Sequence, residues 1–155
     1  MRVAIVFPGQ GSQSVGMMAG YGDMPVIREV FAEASDVLGQ DVAKLVAEGP
    51  AAALNSTVNT QPIMVTVGIA VYRAWLTLGG DMPTIVAGHS LGEYSALVAA
   101  GSMTLSDCLS LVVIRARAMQ DAVPVGKGAM AALLGLDDDA VRRACLEASE
   151  GEVVE

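Results

Sequence analysis

The sequence predicts an α/β domain built around parallel strands, and three observations carry that expectation. Two short apolar runs, Arg2–Phe7 and Thr84–His89, have the length and branched content of buried strands. Long helix-period segments lie between and after them. The second run passes through Gly88-His89-Ser90-Leu91-Gly92 directly into a helical pattern, the strand–turn–helix order of α/β architectures.

Each element follows from its residues. Arg2–Phe7 ends at Pro8-Gly9, and a glycine-rich loop runs to Gly22. From Met24 to Leu38 the apolar residues Ile27, Val30, Phe31, Ala34 and Leu38 share a helical face, which Gly39 is placed to end. A second, short helix is expected to start at Asp41. Thr60–Leu78 is an almost wholly apolar helix pattern closed by Gly79-Gly80, which predicts burial at the centre of a larger body. The second strand and its turn lead to a helix over Leu91–Ala100, broken by Gly101. Thr104-Leu105-Ser106-Asp107 resembles a capping box with Asp in the acidic place and opens a helix to about Ala122. Pro124, Gly126 and Gly128 form a hinge-like break. Beyond it, Ala129–Leu136 reads as a strand, Asp137 caps a helix to about Ala148, and Glu152-Val153-Val154-Glu155 reads as the start of another strand. A strand–helix–strand unit that stops at its second strand leaves sheet edges and an apolar helix face uncovered. The chain is therefore expected to be a segment of a longer protein.

Composition narrows the classes. The 155 residues are 53% hydrophobic and 17% charged, as in a packed globular chain. The net charge is −8, of which −5 falls in residues 137–155, and no basic stripe suited to nucleic acid is present. Cys108 and Cys145 stand 37 positions apart without metal-ligand spacing or companion histidines, so packed, reduced thiols are expected and no metal or other cofactor. The N-terminal apolar run is too short for a signal peptide, and Arg73 interrupts the longest apolar segment, so no membrane association and a cytoplasmic location are expected.

The turn at Ser90 carries the chemistry. Glycines at 88 and 92 remove the side chains that would clash in so sharp a turn, and Ser90 is left exposed at a helix N-terminus. The blander alternative is an ordinary capping serine. As a nucleophile, Ser90 needs a base for its proton and backbone N–H donors for the oxyanion. The N–H of Leu91 supplies one donor; the loop after the first strand, with Gln10 between Gly9 and Gly11, is placed to supply the second. The same loop fails as a phosphate loop, because Met17 and Met18 stand where lysine and a hydroxyl are required, and as a dinucleotide fingerprint, because Ser14 replaces the third glycine.

Pro8-Gly9-Gln10-Gly11-Ser12-Gln13, Thr60-Gln61-Pro62, Gly88-His89-Ser90-Leu91-Gly92-Glu93-Tyr94 and the run Arg115–Gln120, in this order and at these separations, resemble the malonyl-CoA:acyl carrier protein transacylases. The resemblance implies an α/β-hydrolase-like large subdomain, its N-terminal part over residues 1–124. A ferredoxin-like small subdomain would be inserted after Pro124, and residues 125–155 would be its beginning. It also implies transfer of malonate from coenzyme A to a serine ester and then to the phosphopantetheine thiol of an acyl carrier protein, in fatty acid or polyketide synthesis. By motif, Ser90 would be the nucleophile, Gln10 and Leu91 the oxyanion donors, and Arg115 the group that binds the malonyl carboxylate. A guanidinium suits that task because its paired donors match a carboxylate. Arg117 competes as the cation, about 200° away around the helix. Gln61 either lines the site or satisfies backbone at a helix start. His89 precedes Ser90 in the strand, so its side chain should point to the opposite face and support the site by a hydrogen bond rather than act as base.

The sequence departs from the family in one respect. The family's base histidine lies well after the nucleophile, and residues 91–155 contain no histidine. The base is therefore expected in the remainder of the polypeptide, which becomes a partner of this chain alongside malonyl-CoA and the carrier protein. A start at Met1 close to the first strand suits a free-standing enzyme. The competing functions are a serine esterase or thioesterase, which would release the acyl group to water, and a non-catalytic relative lacking the base.

Overall fold

The computed structural model describes residues 2–123, 126–128, 131 and 133–154. The chain divides into two compact units, residues 1–123 and 124–155. The first contains two strands, β1 (Ala4–Phe7) and β2 (Ile85–Gly88), and six helices: α1 (Pro25–Leu38), α2 (Val42–Glu48), α3 (Ala51–Leu54), α4 (Thr57–Thr77), α5 (Gly92–Ala99) and α6 (Leu105–Ala122). A single 3-10 turn, Ala19–Tyr21, lies in the first loop. The strands pair in parallel, with Ala4 opposite Ile85 and Phe7 opposite Gly88. Parallel neighbours require a long crossover, and α1–α4 provide it.

Helix α4 is the axis of this unit. Eleven of its 21 residues are buried, from Thr60 to Ala74, and α1, α5 and α6 pack around it. The core joins Val30, Phe31 and Ala34 of α1, Ile63, Val65 and Ile69 of α4, Leu91, and Cys108, Leu109 and Val112 of α6. That nearly all-apolar helix is buried as its pattern predicts, but it begins at Thr57 rather than Thr60. Two bonds to the Ser56 carbonyl, from the N–H of Asn59 and of Thr60, extend it by nearly a turn. Helix α3 was not legible: a four-residue turn is too short for a period to show. At the strand end, Phe7 meets Tyr72 edge to face with ring centroids 6.2 Å apart.

Local signals set the helix ends. Gly39 closes α1 in the left-handed conformation at φ +63°. The Asp41 carboxylate accepts from the Lys44 N–H at the start of α2. At the start of α6, Thr104 Oγ1 accepts from the Asp107 N–H and donates to the Asp107 carboxylate. Among the described residues of this unit, the sheet is covered on one face only. Phe7 is buried, while Val6 and Ile85 are 71% and 65% exposed on the other face, beside exposed Ala4 and Ala87.

In the second unit, α7 (Asp138–Ala148) is capped by Asp137, whose carboxylate accepts from the Ala140 N–H. The strand expected over Ala129–Leu136 falls partly outside the described residues; Ala131 and Leu133–Leu136 are irregular instead of extended in a sheet. Residues 152–154 likewise form no strand, and the chain turns after α7 with the Glu152 N–H bonded to the Ser149 carbonyl. Pattern alone does not make a strand, since its N–H and C=O groups need a partner strand and none is present among the described residues. Among the described residues, no helix is long and apolar enough to cross a membrane.

Candidate active site

Ser90 stands two residues past the end of β2 at φ +52°, a left-handed conformation that costs a side-chain-bearing residue about 1–3 kcal/mol. The turn is tight because backbone packs on backbone. A Cβ on Gly88 would stand 2.0 Å from the Gly92 carbonyl carbon, and a Cβ on Gly92 would stand 2.2 Å from the Phe7 carbonyl oxygen. Both glycines are thus required by close approach, and together they bring the start of α5 against the end of β1. The His89 carbonyl accepts from the Gly92 N–H at 2.8 Å, which closes the turn and leaves the Ser90 side chain exposed.

Two backbone donors remain free beside this turn. Among the described residues, neither the Leu91 N–H nor the Gln10 N–H has a protein acceptor. The Gln10 loop lies against the Ser90 turn: a Cβ on Gly9 would be 3.1 Å from the His89 carbonyl oxygen and 3.4 Å from His89 Nδ1. The His89 imidazole thus packs beside the Gly9 backbone, and among the described residues it forms no hydrogen bond with Ser90.

The partner of Ser90 is Arg115. From α6, Arg115 Nη2 donates to Ser90 Oγ at 3.0 Å and Nη1 donates to Gln61 Oε1 at 2.5 Å. The Tyr94 ring, one helical turn beyond Ser90 on α5, lies 5.7 Å from the Arg115 guanidinium carbon, within cation–π range. Gln61 is fully buried in α4, and its amide is used at both ends, with Nε2 donating to Met119 Sδ at 3.3 Å. Reversing the amide would set its NH2 donors against the guanidinium, so Arg115 and Met119 jointly fix its orientation. Gln61 therefore reaches the site through the arginine. Sequence reasoning missed Tyr94 and Met119 as members of this cluster; the spacing of Met119 four residues after Arg115 was the available signal.

Arg115 is half-buried, and among the described residues it has no carboxylate partner. Arg117 is exposed and makes no hydrogen bond or ion pair among the described residues. The arrangement thus sets an uncompensated cation within hydrogen-bonding distance of a strained, exposed serine hydroxyl. Such a site suits an acidic group carried close to an electrophilic carbon. Among the described residues no group of three or more His, Cys, Asp or Glu side chains is placed to hold a metal ion. Cys108, buried on α6, donates to the Tyr94 carbonyl at 3.7 Å, and burial pushes its thiol up to about 11. An apolar groove of about 480 Å³ between β1 and α4, lined by Ile5, Val67, Tyr72 and Trp75 among others, lies apart from this cluster; neither Ser90, Gln61 nor Arg115 lines it.

The malonyl CoA-acyl carrier protein transacylase of Escherichia coli K12 is 54% identical over 154 residues, covering 99% of this chain and 50% of its own length. The crystal structure of an acyl-carrier-protein S-malonyltransferase from Burkholderia pseudomallei 1710b superposes with a TM-score of 0.88 at 64% identity, over 96% of this chain and 48% of that one. A malonyl-transacylase solved in complex with a type II PKS acyl-carrier protein superposes at 0.90 with 48% identity, over 99% of this chain and 50% of that one. The chain thus spans about half the length of the relatives it matches and shares their α/β fold with a parallel sheet. The acyl transferase domain model matches residues 4–154, and with the serine turn and its arginine in place, the chain belongs to the acyl transferase domain family.

Proposed function

We propose that this chain is the N-terminal part of a malonyl-CoA:acyl carrier protein transacylase. The observation that carries the reading is the 3.0 Å contact between the Arg115 guanidinium and Ser90 Oγ, made by a cation with no carboxylate partner among the described residues. In a malonyl thioester, one methylene separates the carboxylate from the carbonyl to be attacked. A cation within hydrogen-bonding reach of the nucleophile is therefore at the right range to hold the carboxylate while Ser90 meets the carbonyl. On binding, the guanidinium exchanges Ser90 Oγ for the substrate carboxylate and frees the hydroxyl.

Ser90 Oγ then attacks the thioester carbon. The new C–O bond forms, the negative charge on the carbonyl oxygen is taken by the N–H groups of Gln10 and Leu91, and the C–S bond breaks to release coenzyme A. The proton from Ser90 passes through a base to the departing sulfur. In the second half-reaction, the carrier protein's phosphopantetheine thiol attacks the ester, and its proton returns to Ser90. The base belongs to the half of the relatives' length that this chain does not span, since no histidine follows Ser90. The exposed sheet face around Val6 and Ile85 supports the same view, as an apolar face of this kind calls for a cover.

In finer architecture, we read residues 1–124 as part of an α/β-hydrolase-like subdomain and residues 125–155 as the opening of a ferredoxin-like one. His89 packs beside the Gly9 backbone and supports the loop. The test is exposure of the full-length polypeptide to malonyl-CoA followed by intact-mass and peptide mapping. A malonyl ester on Ser90, discharged faster by carrier thiol than by water, is the expected result. Labelling that persists in Ser90→Ala, or release to water alone, would overturn it.

A further inference from the structure

The loop that presents Gln10 is held by side chains, and both anchors come from the segment that opens α4. Gln10 Oε1 accepts from the Thr57 hydroxyl at 2.8 Å. The Gln13 amide spans the remaining gap: its Oε1 accepts from the Gly11 N–H at 2.8 Å, and its Nε2 donates to Asn55 Oδ1 at 2.9 Å. Asn55 is itself fixed, because its N–H closes α3 on the Ala51 carbonyl. Gly11 takes φ +110°, which the loop needs in order to turn between these two attachments.

The division of labour within the loop is specific. With the Gly11 N–H occupied by Gln13 and the Gln10 side chain occupied by Thr57, the Gln10 N–H is left without a protein acceptor among the described residues. Thr57 and Gln61 are four residues apart on α4 and share a helical face. One edge of one helix thus anchors the Gln10 loop through Thr57 and the Arg115 guanidinium through Gln61.

We propose that Thr57 and Asn55 are positioning residues that hold the Gln10 backbone N–H in register for the acyl transfer oxyanion. The inference rests on the reading of Ser90 as nucleophile and Gln10 as donor. Loss of an oxyanion donor costs about 10²–10³ in kcat, and a donor left in place but poorly aimed forfeits part of that.

The test measures single-turnover acylation of Ser90 by malonyl-CoA in the full-length polypeptide, with the final labelling stoichiometry, KM and thermal midpoint. Thr57→Val and Asn55→Ala should each slow acylation about tenfold, with KM nearly unchanged and Ser90 still labelled to completion. Thr57→Ser and Asn55→Asp, which keep the donor and the acceptor, should recover most of the rate. Unchanged acylation in both Thr57→Val and Asn55→Ala, or a Thr57→Ser variant as slow as Thr57→Val, would overturn the proposal. Should Thr57→Val fail to fold, the exposed Asn55 pair decides the matter alone. Failure of the underlying reading looks different: Ser90→Ala would then still be labelled.

Discussion

On the proposed function, replacing Arg115 by alanine should convert a site selective for malonyl thioesters into one that barely distinguishes malonyl from acetyl thioesters. The guanidinium is half-buried and held by three neutral partners, Ser90, Gln61 and Tyr94, so a substrate carboxylate would be its first countercharge among the described residues. Hydrogen bonds to charged groups contribute about 1.5–3 kcal/mol, and breaking a fully buried pair costs about 3–5. Partial exposure places this pair near the lower figure, at about 2–3 kcal/mol, which is about a 30- to 150-fold loss of kcat/KM for malonyl-CoA. Acetyl transfer should change little, because an acetyl thioester carries no free carboxylate for the arginine to bind. The variant also leaves the fully buried Gln61 Oε1 without its donor, so a loss of about 1–3 kcal/mol of stability should accompany it, and thermal melts must be run in parallel. The assay is the ratio of kcat/KM for the two thioesters in wild type, Arg115→Ala and Arg117→Ala. A ratio unchanged in Arg115→Ala, or a collapse in Arg117→Ala, would refute the reasoning.

Three further outcomes are expected. Ser90→Gly should abolish malonyl labelling yet raise stability by about 1 kcal/mol, because glycine relieves the strain of φ +52°; a destabilised variant in denaturant titration would count against a strained turn. Gly92→Ala should cost about 3 kcal/mol or more, since its Cβ would stand 2.2 Å from the Phe7 carbonyl oxygen and force β1 from α5; a near-neutral midpoint would show that the turn can open. Burial raises the Cys108 thiol from 9.0 to about 11, so the unfolded chain ionises first as pH rises. The stability tied to the neutral thiol is complete below about pH 9 and lost between about 9 and 11, and Cys108→Ala should remove that slope from denaturation midpoints.

Legibility followed the range of the interaction. The capping aspartates at 41 and 137, the Thr104–Asp107 pair and Gly39 act within a few residues, and each appears where the sequence places it. The start of α4 and the short α3 were misjudged or missed because one helical turn leaves no periodic trace. The strands expected at Ala129–Leu136 and Glu152–Glu155 have the right residues, but what is described of them lacks partners, and a strand's backbone bonds are made with another segment.

The sequence by itself determined the elbow. A serine flanked by Gly88 and Gly92 between an apolar run and a helix has one sterically reasonable turn, because the side chains that would prevent it are absent. It also separated Arg115 from Arg117 around their helix, and the family motif pointed to Arg115 as the cation. Only the tertiary structure brings that guanidinium to the serine, by packing α6 against α4 and α5. Arg115 reaches Ser90 across 25 positions and Gln61 across 54, while Thr57 reaches Gln10 across 47. Contacts between residues so far apart depend on how whole helices pack, and that packing is set by the shared apolar core around Ile63, Val65 and Val112, not by the polar residues it brings together.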